Sequence, residues 1–564
     1  MKSAPFDRLI LHNARVRSLD DADTRGEAIG FAGGRVAAVG TLEQVRQGTP
    51  RAEERDLEER VVYPGFIDAH HHFCFSATYA DVPQLRTHRN LAEILASAAA
   101  LASRTPPGEW IVMFGWDETR LAEGRGPTRF ELDQTAPDHP LLLIHFSYHQ
   151  GVLNSLGLTR AGLLDRSPDP AGGLRGRTRS GDLDGSVFER CFGHAEGIAR
   201  RALSARDREA WFASANGYQD RVLAAGITHV CDAAVPPEME ALYREWQARG
   251  ELHVGVTMMP LVGNMFAVPA ERLDGARTGW QDGRLGVGPM KLFLDGGRLC
   301  AVCFSLRDAI LQLAAMLRGL LRGRVSLPWL LAPGMLLRLG SDLKLHTGML
   351  FYDADALAAL LRSASTRGFG IGMHAAGNDA IEQAIRAFAR SYKGTLPPRI
   401  DHFFLTTDRS LRDAAREGIH AVIQPPLALE QGDGVREAGL PPHLGYSAFG
   451  RMRDAGVSLA GSSDAPCGHF DVIAAIAFAV CRELPSGALL FAEEALSPRE
   501  AIGLYTRRAA AVLGMEREIG QLLRGSRADA VVLSEDPLEV PHERLREISV
   551  IATFAGQREL QVQG

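Results

Sequence analysis

Residues 64–72 read PGFIDAHHH. A proline and a glycine open the segment, a short apolar run comes next, and three histidines close it. The run has the length and composition of a buried strand. On a strand, side chains at i and i+2 point to the same side, so His70 and His72 can bind one metal ion while His71 points the other way. With 18 histidines in 564 residues, chance alone gives about 0.6 His-x-His pairs, so the motif by itself is weak. Its meaning comes from Asp68 two residues earlier and from single polar residues at the ends of later strands.

Seven further segments read as buried strands: LLLIHFSYH (141–149), ITHVCDA (227–233), MKLFLDGG (290–297), IGMHAAG (371–377), RIDHFFL (399–405), HAVIQPP (420–426) and VSLAGSSDAP (457–466). Helical stretches separate most of them, which implies a parallel sheet. Eight such strands fit an α/β fold of the closed (β/α)8, TIM-like barrel type. The polar residues fall late in their strands or just beyond them: His70 and His72, Asp295, His374, His402 and Asp464. A polar side chain inside an apolar run is costly unless paired or ligated. In a barrel, the C-terminal strand ends converge on one site.

Both ends of the chain have a different texture. LILHNARV and AIGFAGGRVAAVG near the start, and ADAVVLS, ISVIATFAG and RELQVQ near the end, are short Gly-punctuated strands. Residues 1–63 and 517–564 are therefore expected to meet in one small β-sandwich domain, with the barrel occupying 64–516. The barrel is long because of insertions at 75–200 and 306–345. Within the second, DAILQLAAMLRGLLRGR reads as a basic amphipathic helix: a lid, a homo-oligomer contact or a membrane-surface helix.

Composition bounds the rest. A net charge of −6, with 46% hydrophobic and 23% charged residues, excludes disordered, collagen-like and membrane-spanning classes. It offers no electrostatic reason for a nucleic-acid partner. Val325–Leu337, the most apolar uncharged stretch, is too short for a bilayer. Seven cysteines, odd in number and irregularly spaced, point to a reducing compartment. The N-terminal segment lacks the apolar core of a signal peptide. A soluble cytoplasmic protein is expected.

His374 and His402 lie 28 residues apart, about one βα unit, and so fall on neighbouring strands. Each alone could be a core histidine, but joined to His70 and His72 they form a candidate metal cluster. Asp464 can ligate a metal and accept a proton from metal-bound water, or cap the next helix. Lys291 inside an apolar strand must snorkel, pair with an acid or lose its charge. Carbon dioxide can remove that charge as a carbamate, which can bridge two ions. Cys300 and Cys303 form a lone C-x-x-C, for which buried thiols are the commoner outcome.

PGFIDAHHH, GWDETRL, LDQTAPDHPLLLIHFSYHQGVLNSLGL, MKLFLDGG, HAAGNDAI, RIDHFF and SSDAP occur in that order, and SPREAIGLYTRRAAAVLG…IGQLLRGSRADAVVL closes the chain. In this series the chain resembles the amidohydrolase superfamily of metal-dependent hydrolases, in its branch of N-substituted formamide deformylase-like proteins (amidohydrolase family 3). The resemblance implies that His70 and His72 bind a first divalent ion and His374 and His402 a second, with zinc the common metal and one or two ions per subunit. It implies a bridging, carboxylated Lys291, and Asp464 as ligand and general base. His149 would lie near the substrate carbonyl, with Trp116 and Arg298 as further substrate contacts. The implied activity is hydrolysis of a C–N bond in a small amide, N-formyl, N-acyl or cyclic amide. The segment after the Asp-Gly of the fourth strand, GGRLCAVCF, departs from the family's short polar stretch. Ester or lactone hydrolysis shares the carbonyl chemistry. A deaminase would carry Glu three residues after His374, where this chain has Gly377. A non-catalytic binding protein on the same fold is the remaining alternative.

Overall fold

Eight parallel strands frame the candidate metal ligands, and they divide between two five-stranded sheets. In the first, β1 (Phe66–His71), β2 (Ile227–Val235) and β3 (Gly255–Pro260) lie side by side and parallel. Beyond β3 come Leu285–Val287 and, antiparallel to it, Gln281–Asp282. In the second sheet, β4 (Met290–Phe293), β5 (Ile371–Ala375), β6 (Arg399–His402), β7 (His420–Ile423) and β8 (Ser458–Gly461) are parallel throughout. Two seams join the sheets. Leu261, just past β3, bridges Lys291 of β4 in parallel, and Val262 N–H donates to Lys291 O at 3.0 Å. Just past β8, Asp464 N–H donates to His70 O (2.9 Å), and His72 N–H donates to Ala465 O (2.8 Å).

These strands are apolar on both faces, as parallel strands covered on both sides must be. Phe66, Val230, Met258, Leu292, Met373, Ile400 and Leu459 pack in the main core with the helices. Ile67, Ala69, Cys231, Met259, Val422 and Ala460 form a second, narrower cluster, closed by Ala509, Ala510 and Val512 of the helix Arg507–Val512.

Seven of the eight expected strand segments contribute to these two sheets, and one does not. Leu141–His145 pairs with Ile111–Trp116 and Gln150–Leu153 in a separate mixed sheet formed within 75–200. Its place is taken by β3, GVTMMP, which carries no polar residue at its end to mark it.

The two ends of the chain pair directly. Lys2–Pro5 is antiparallel to Arg558–Gln561, and Val61–Pro64 is antiparallel to Asp529–Leu533, within one seven-stranded sheet. Leu9, Leu11, Ile29 and Phe31 of a four-stranded sheet share a core with Val62, Ala530, Val532 and Phe554.

The computed structural model describes residues 2–165, 167–263, 274–297, 299–308, 310, 338–340, 343–394, 396–441 and 443–562. Most of the expected amphipathic helix of the second insertion lies outside them, as does Arg298. Among the described residues, no helix is long and apolar enough to cross a membrane.

Candidate metal centre

β1 delivers His70, and the turn into helix Phe73–Thr78 delivers His72. That turn is fixed by Asp232 of β2, whose carboxylate accepts from Phe73 N–H (3.1 Å) and Cys74 N–H (2.9 Å). The loop after β8 brings Asp464 Oδ1 to 3.2 Å from both His70 Nε2 and His72 Nε2. His402 ends β6, its ring 4.9 Å from that of His70 and 4.3 Å from that of His374 on β5. Donor atoms of His70, His402 and Asp464 lie within 4.8 Å of one another, and all three residues are buried. His402 (φ 76°) and Asp464 (φ 57°) both hold left-handed backbone, a conformation costing about 1–2 kcal/mol for a residue with a Cβ and concentrated at functional sites.

The second ring nitrogen of each histidine decides its tautomer. His72 Nδ1 faces Ala233 O at 2.6 Å and His402 Nδ1 faces Gln424 Oε1 at 3.0 Å. Carbonyl oxygens only accept, so the protons sit on Nδ1 and each Nε2 keeps a lone pair. Burial pushes His402 down to about 3, and holds His72 and His374 below the ordinary histidine range. These imidazoles are neutral. Burial opposes charge on Asp464 too, but the nearby His70 and His72 nitrogens hold its carboxyl well below the usual range.

Beneath the histidines lies an ionic layer in which Lys291 and Asp295 are legible in the sequence but Asp401 and Arg399 are not. Asp401 of β6 faces Lys291 Nζ with one oxygen, accepts from Arg399 Nε with the other (2.6 Å), and stands 3.0 Å from His70 Nδ1. Lys291 is therefore held as an ion pair beside the ligands, its pKa lowered by burial against the pull of Asp401. Asp295 accepts from the backbone N–H groups of Ala301, Ala376 and Gly377 (2.9–3.1 Å) and lies 3.4 Å from His374 Nε2. Burial pushes its pKa up to about 7. Asp68 ties β1 to the Asp464 loop through Ser463 N–H (3.0 Å) and takes His71 Nδ1 at 2.9 Å, so His71 does turn away from its neighbours.

His149 reaches the cluster from the mixed sheet's side, its ring 5.4 Å from that of His374. Its Nδ1 lies 2.7 Å from Glu189 Oε2. Burial disfavours the imidazolium, but Glu189 prevails and raises its pKa. Trp116, expected to touch substrate, lies elsewhere. Its Nε1 donates to Leu143 O (3.4 Å), its ring meets that of His145, and it belongs to the core of the mixed sheet. It is a large apolar ring on a fully buried strand, and packing claims it. A cleft of about 820 Å³ opens nearby, lined by Tyr79, Arg86, Tyr218 and the Ala465–Pro466 turn among others, but none of the candidate ligands lines it.

The donor set fits a divalent cation. His70 Nε2, His374 Nε2 and Asp464 Oδ1 are buried and satisfied by no hydrogen bond, a condition folded proteins rarely tolerate. Neutral imidazoles and a carboxylate are zinc-class ligands.

A model of the amidohydrolase family matches residues 53–559. The chain is 30% identical over 562 residues to N-substituted formamide deformylase of Arthrobacter pascens, covering 97% of each chain. Two solved structures share its fold. An uncharacterized metal-dependent hydrolase from Pyrococcus horikoshii matches 95% of this chain and 99% of its own at 21% identity (TM-score 0.69). Its counterpart from Pyrococcus furiosus matches 94% and 100% at 21% identity (TM-score 0.66). The chain belongs to the amidohydrolase family.

Proposed function

We propose that the protein is a metal-dependent hydrolase of carbon–nitrogen bonds acting on a small amide, with N-formyl amides the first class to test. The observation that carries this reading is the convergence of buried His70, His402 and Asp464, whose donor atoms lie within 4.8 Å of one another at the ends of β1, β6 and β8, with the His374 ring 4.3 Å from that of His402. Similarity to a formamide deformylase supports the substrate class. We read the two joined sheets as one (β/α)8 barrel over 64–516, and the paired termini, 1–63 and 517–564, as a β-sandwich beside it.

In this reading His70, His72, His374, His402 and Asp464 hold the ion, zinc by donor type. A divalent ion bound there supplies a water acidic enough to ionise near neutral pH and polarises the substrate carbonyl. Asp464 takes the proton of the attacking water and returns it to the nitrogen as the C–N bond breaks, giving a carboxylate and an amine. Its depressed pKa keeps it ionised before the reaction. Glu189 faces His149 Nδ1 and favours the imidazolium, whose Nε2–H would stabilise the developing oxyanion. A carbamate on Lys291, which could bridge two ions, would take Nζ out of its ion pair with Asp401, and metal quantitation decides between one ion and two. Deamination is disfavoured, because a Cβ at Gly377 would sit 1.9 Å from Ala301 O, leaving no room for a glutamate.

The test combines metal quantitation with kinetics on N-formyl amines, N-acyl amines, cyclic amides and esters. Asp464→Asn should lower kcat by about 10²–10⁴ with metal content unchanged. Full activity in that variant removes Asp464 from the chemistry. A wild-type protein with neither bound metal nor metal-dependent turnover would sink the reading in favour of a binding protein. A tenfold preference for esters would make it an esterase.

A further inference from the structure

The second insertion is rooted on a three-stranded ribbon, in which Lys344–Thr347 lies between Val302–Ser305 and Arg338–Leu339. Val302–Ser305 pairs antiparallel with Lys344–Thr347, and Cys303 stands directly opposite His346. Opposed residues of such a pair share a face, with Cβ atoms about 4.5–5.5 Å apart. The ribbon is locked to the helix Asn378–Ser391, which starts just past β5. Asn378 Oδ1 accepts from Cys303 N–H (3.0 Å), Asn378 Nδ2 donates to Cys303 O (2.8 Å), and Asp379 N–H donates to Ala301 O (3.1 Å). This docking carries the Asp379 carboxylate to the same face, with Oδ2 2.7 Å from His346 Nδ1. One donor atom each from Cys303, His346 and Asp379 falls within 4.8 Å of the others. Cys303 is buried, and the His346 and Asp379 side chains are only 21% and 16% exposed.

We propose that Cys303, His346 and Asp379 form a second metal site, distinct from the histidine cluster, for a thiolate-binding divalent ion of the zinc class. The donors are a thiol, an imidazole and a carboxylate from three separate elements, the mixed set on which zinc sites are built. Ligands of a tetrahedral zinc at about 2.0–2.3 Å stand roughly 3.5 Å apart, within small side-chain rotations of the spacing seen here. An ion there ties both roots of the insertion to the helix that comes after His374. It also braces Ala301, whose N–H donates to Asp295 beside His374. Three protein ligands leave a fourth position for water or an incoming group.

The proposed hydrolytic centre has only nitrogen and oxygen ligands, so sulfur ligation reports on the second site alone. The full chain, stripped with chelator, is titrated with Co²⁺ and then Zn²⁺. We expect a thiolate-to-cobalt charge-transfer band in the near ultraviolet, saturating at one ion per chain and displaced by zinc. It should vanish in Cys303→Ser, with one zinc fewer per chain, and need at least tenfold more cobalt in His346→Ala. It should persist in Cys300→Ser, Cys467→Ser and Asp464→Asn. Absence of the band in the wild type, or its survival in Cys303→Ser, overturns the proposal. Should Cys303→Ser fail to fold, His346→Gln and Asp379→Asn decide: an unchanged band and zinc content in both overturns it equally.

Discussion

Asp401 balances the charges beneath the histidine cluster. Arg399 and Lys291 are buried within the fold, at 1% and 0% exposure, and both rest on this one carboxylate. Desolvating an ion costs several kcal/mol unless a partner offsets it. Arg399 and Lys291 hold Asp401 well below the usual carboxylate range against its own burial. Asp401→Ala leaves two cations with no counter-charge and should destabilise the fold by about 3–5 kcal/mol, read as a fall in the urea midpoint. A loss below about 1 kcal/mol would mean that solvent replaces the carboxylate or that Lys291 gives up its proton. The histidines and Asp464 were legible in the sequence because each is a polar residue at the end of an apolar run. Asp401 was not, although it adjoins His402, because its meaning depends on Lys291, 110 positions away. Trp116 misled for the opposite reason. Its motif is conspicuous, but its indole is absorbed by a core.

At the scale of elements, the end of β4 shows how backbone spacing sets a side chain. Past Asp295 the chain runs through Gly296 and Gly297. A Cβ on Gly296 would lie 2.3 Å from Glu189 Oε1, and one on Gly297 would lie 2.2 Å from His149 Cδ2. The pair of glycines lets the loop press against Glu189 and His149 and fix the imidazole between them. Gly297→Ala meets the end of a movable side chain rather than backbone, so His149 should swing away while the fold survives. We expect kcat/KM to fall about 10²-fold, the order of losing one oxyanion donor, with thermal unfolding shifted little. Wild-type turnover in Gly297→Ala would remove His149 from the reaction. The Asp-Gly-Gly signature was readable as a strand end, but its reason lies in the mixed sheet, which sequence periodicity did not separate from the rest. LLLIH is as apolar as any strand of the parallel sheets, and only its pairing partners reveal that it belongs elsewhere. GVTMMP escaped because six buried residues with no terminal polar group resemble any short core segment.

At the scale of the whole molecule, the buried histidines make the protein's stability a function of acidity. His229 and His402 are pushed down to about 3 by burial, and His72 and His374 are also lowered. In the unfolded chain each titrates near 6.5. Between the two values the unfolded state binds more protons, so stability is fully present above about 6.5 and falls as pH drops toward the folded values. His149 runs the other way. Its raised pKa adds stability below 6.5 that is lost as pH rises through its folded value, and the buried carboxyls of Asp295, pushed up to about 7, and Asp232, also raised, act in the same direction, but the lowered histidines, which include His253 and His420, are more numerous. Each neutral histidine contributes at most about 1.4 kcal/mol per pH unit and Asp295 offsets about one of them, so the metal-free protein should lose about 1–3 kcal/mol between pH 6 and pH 5. Urea denaturation of chelator-treated protein at half-unit steps would measure this. A midpoint flat from pH 6.5 to 5 would mean that the cluster opens to water without its ion. Metal-loaded protein should resist acid further, because an ion that binds neutral imidazoles competes with the same protons. The gap between the two curves therefore reports how much of the fold's acid resistance comes from the centre itself.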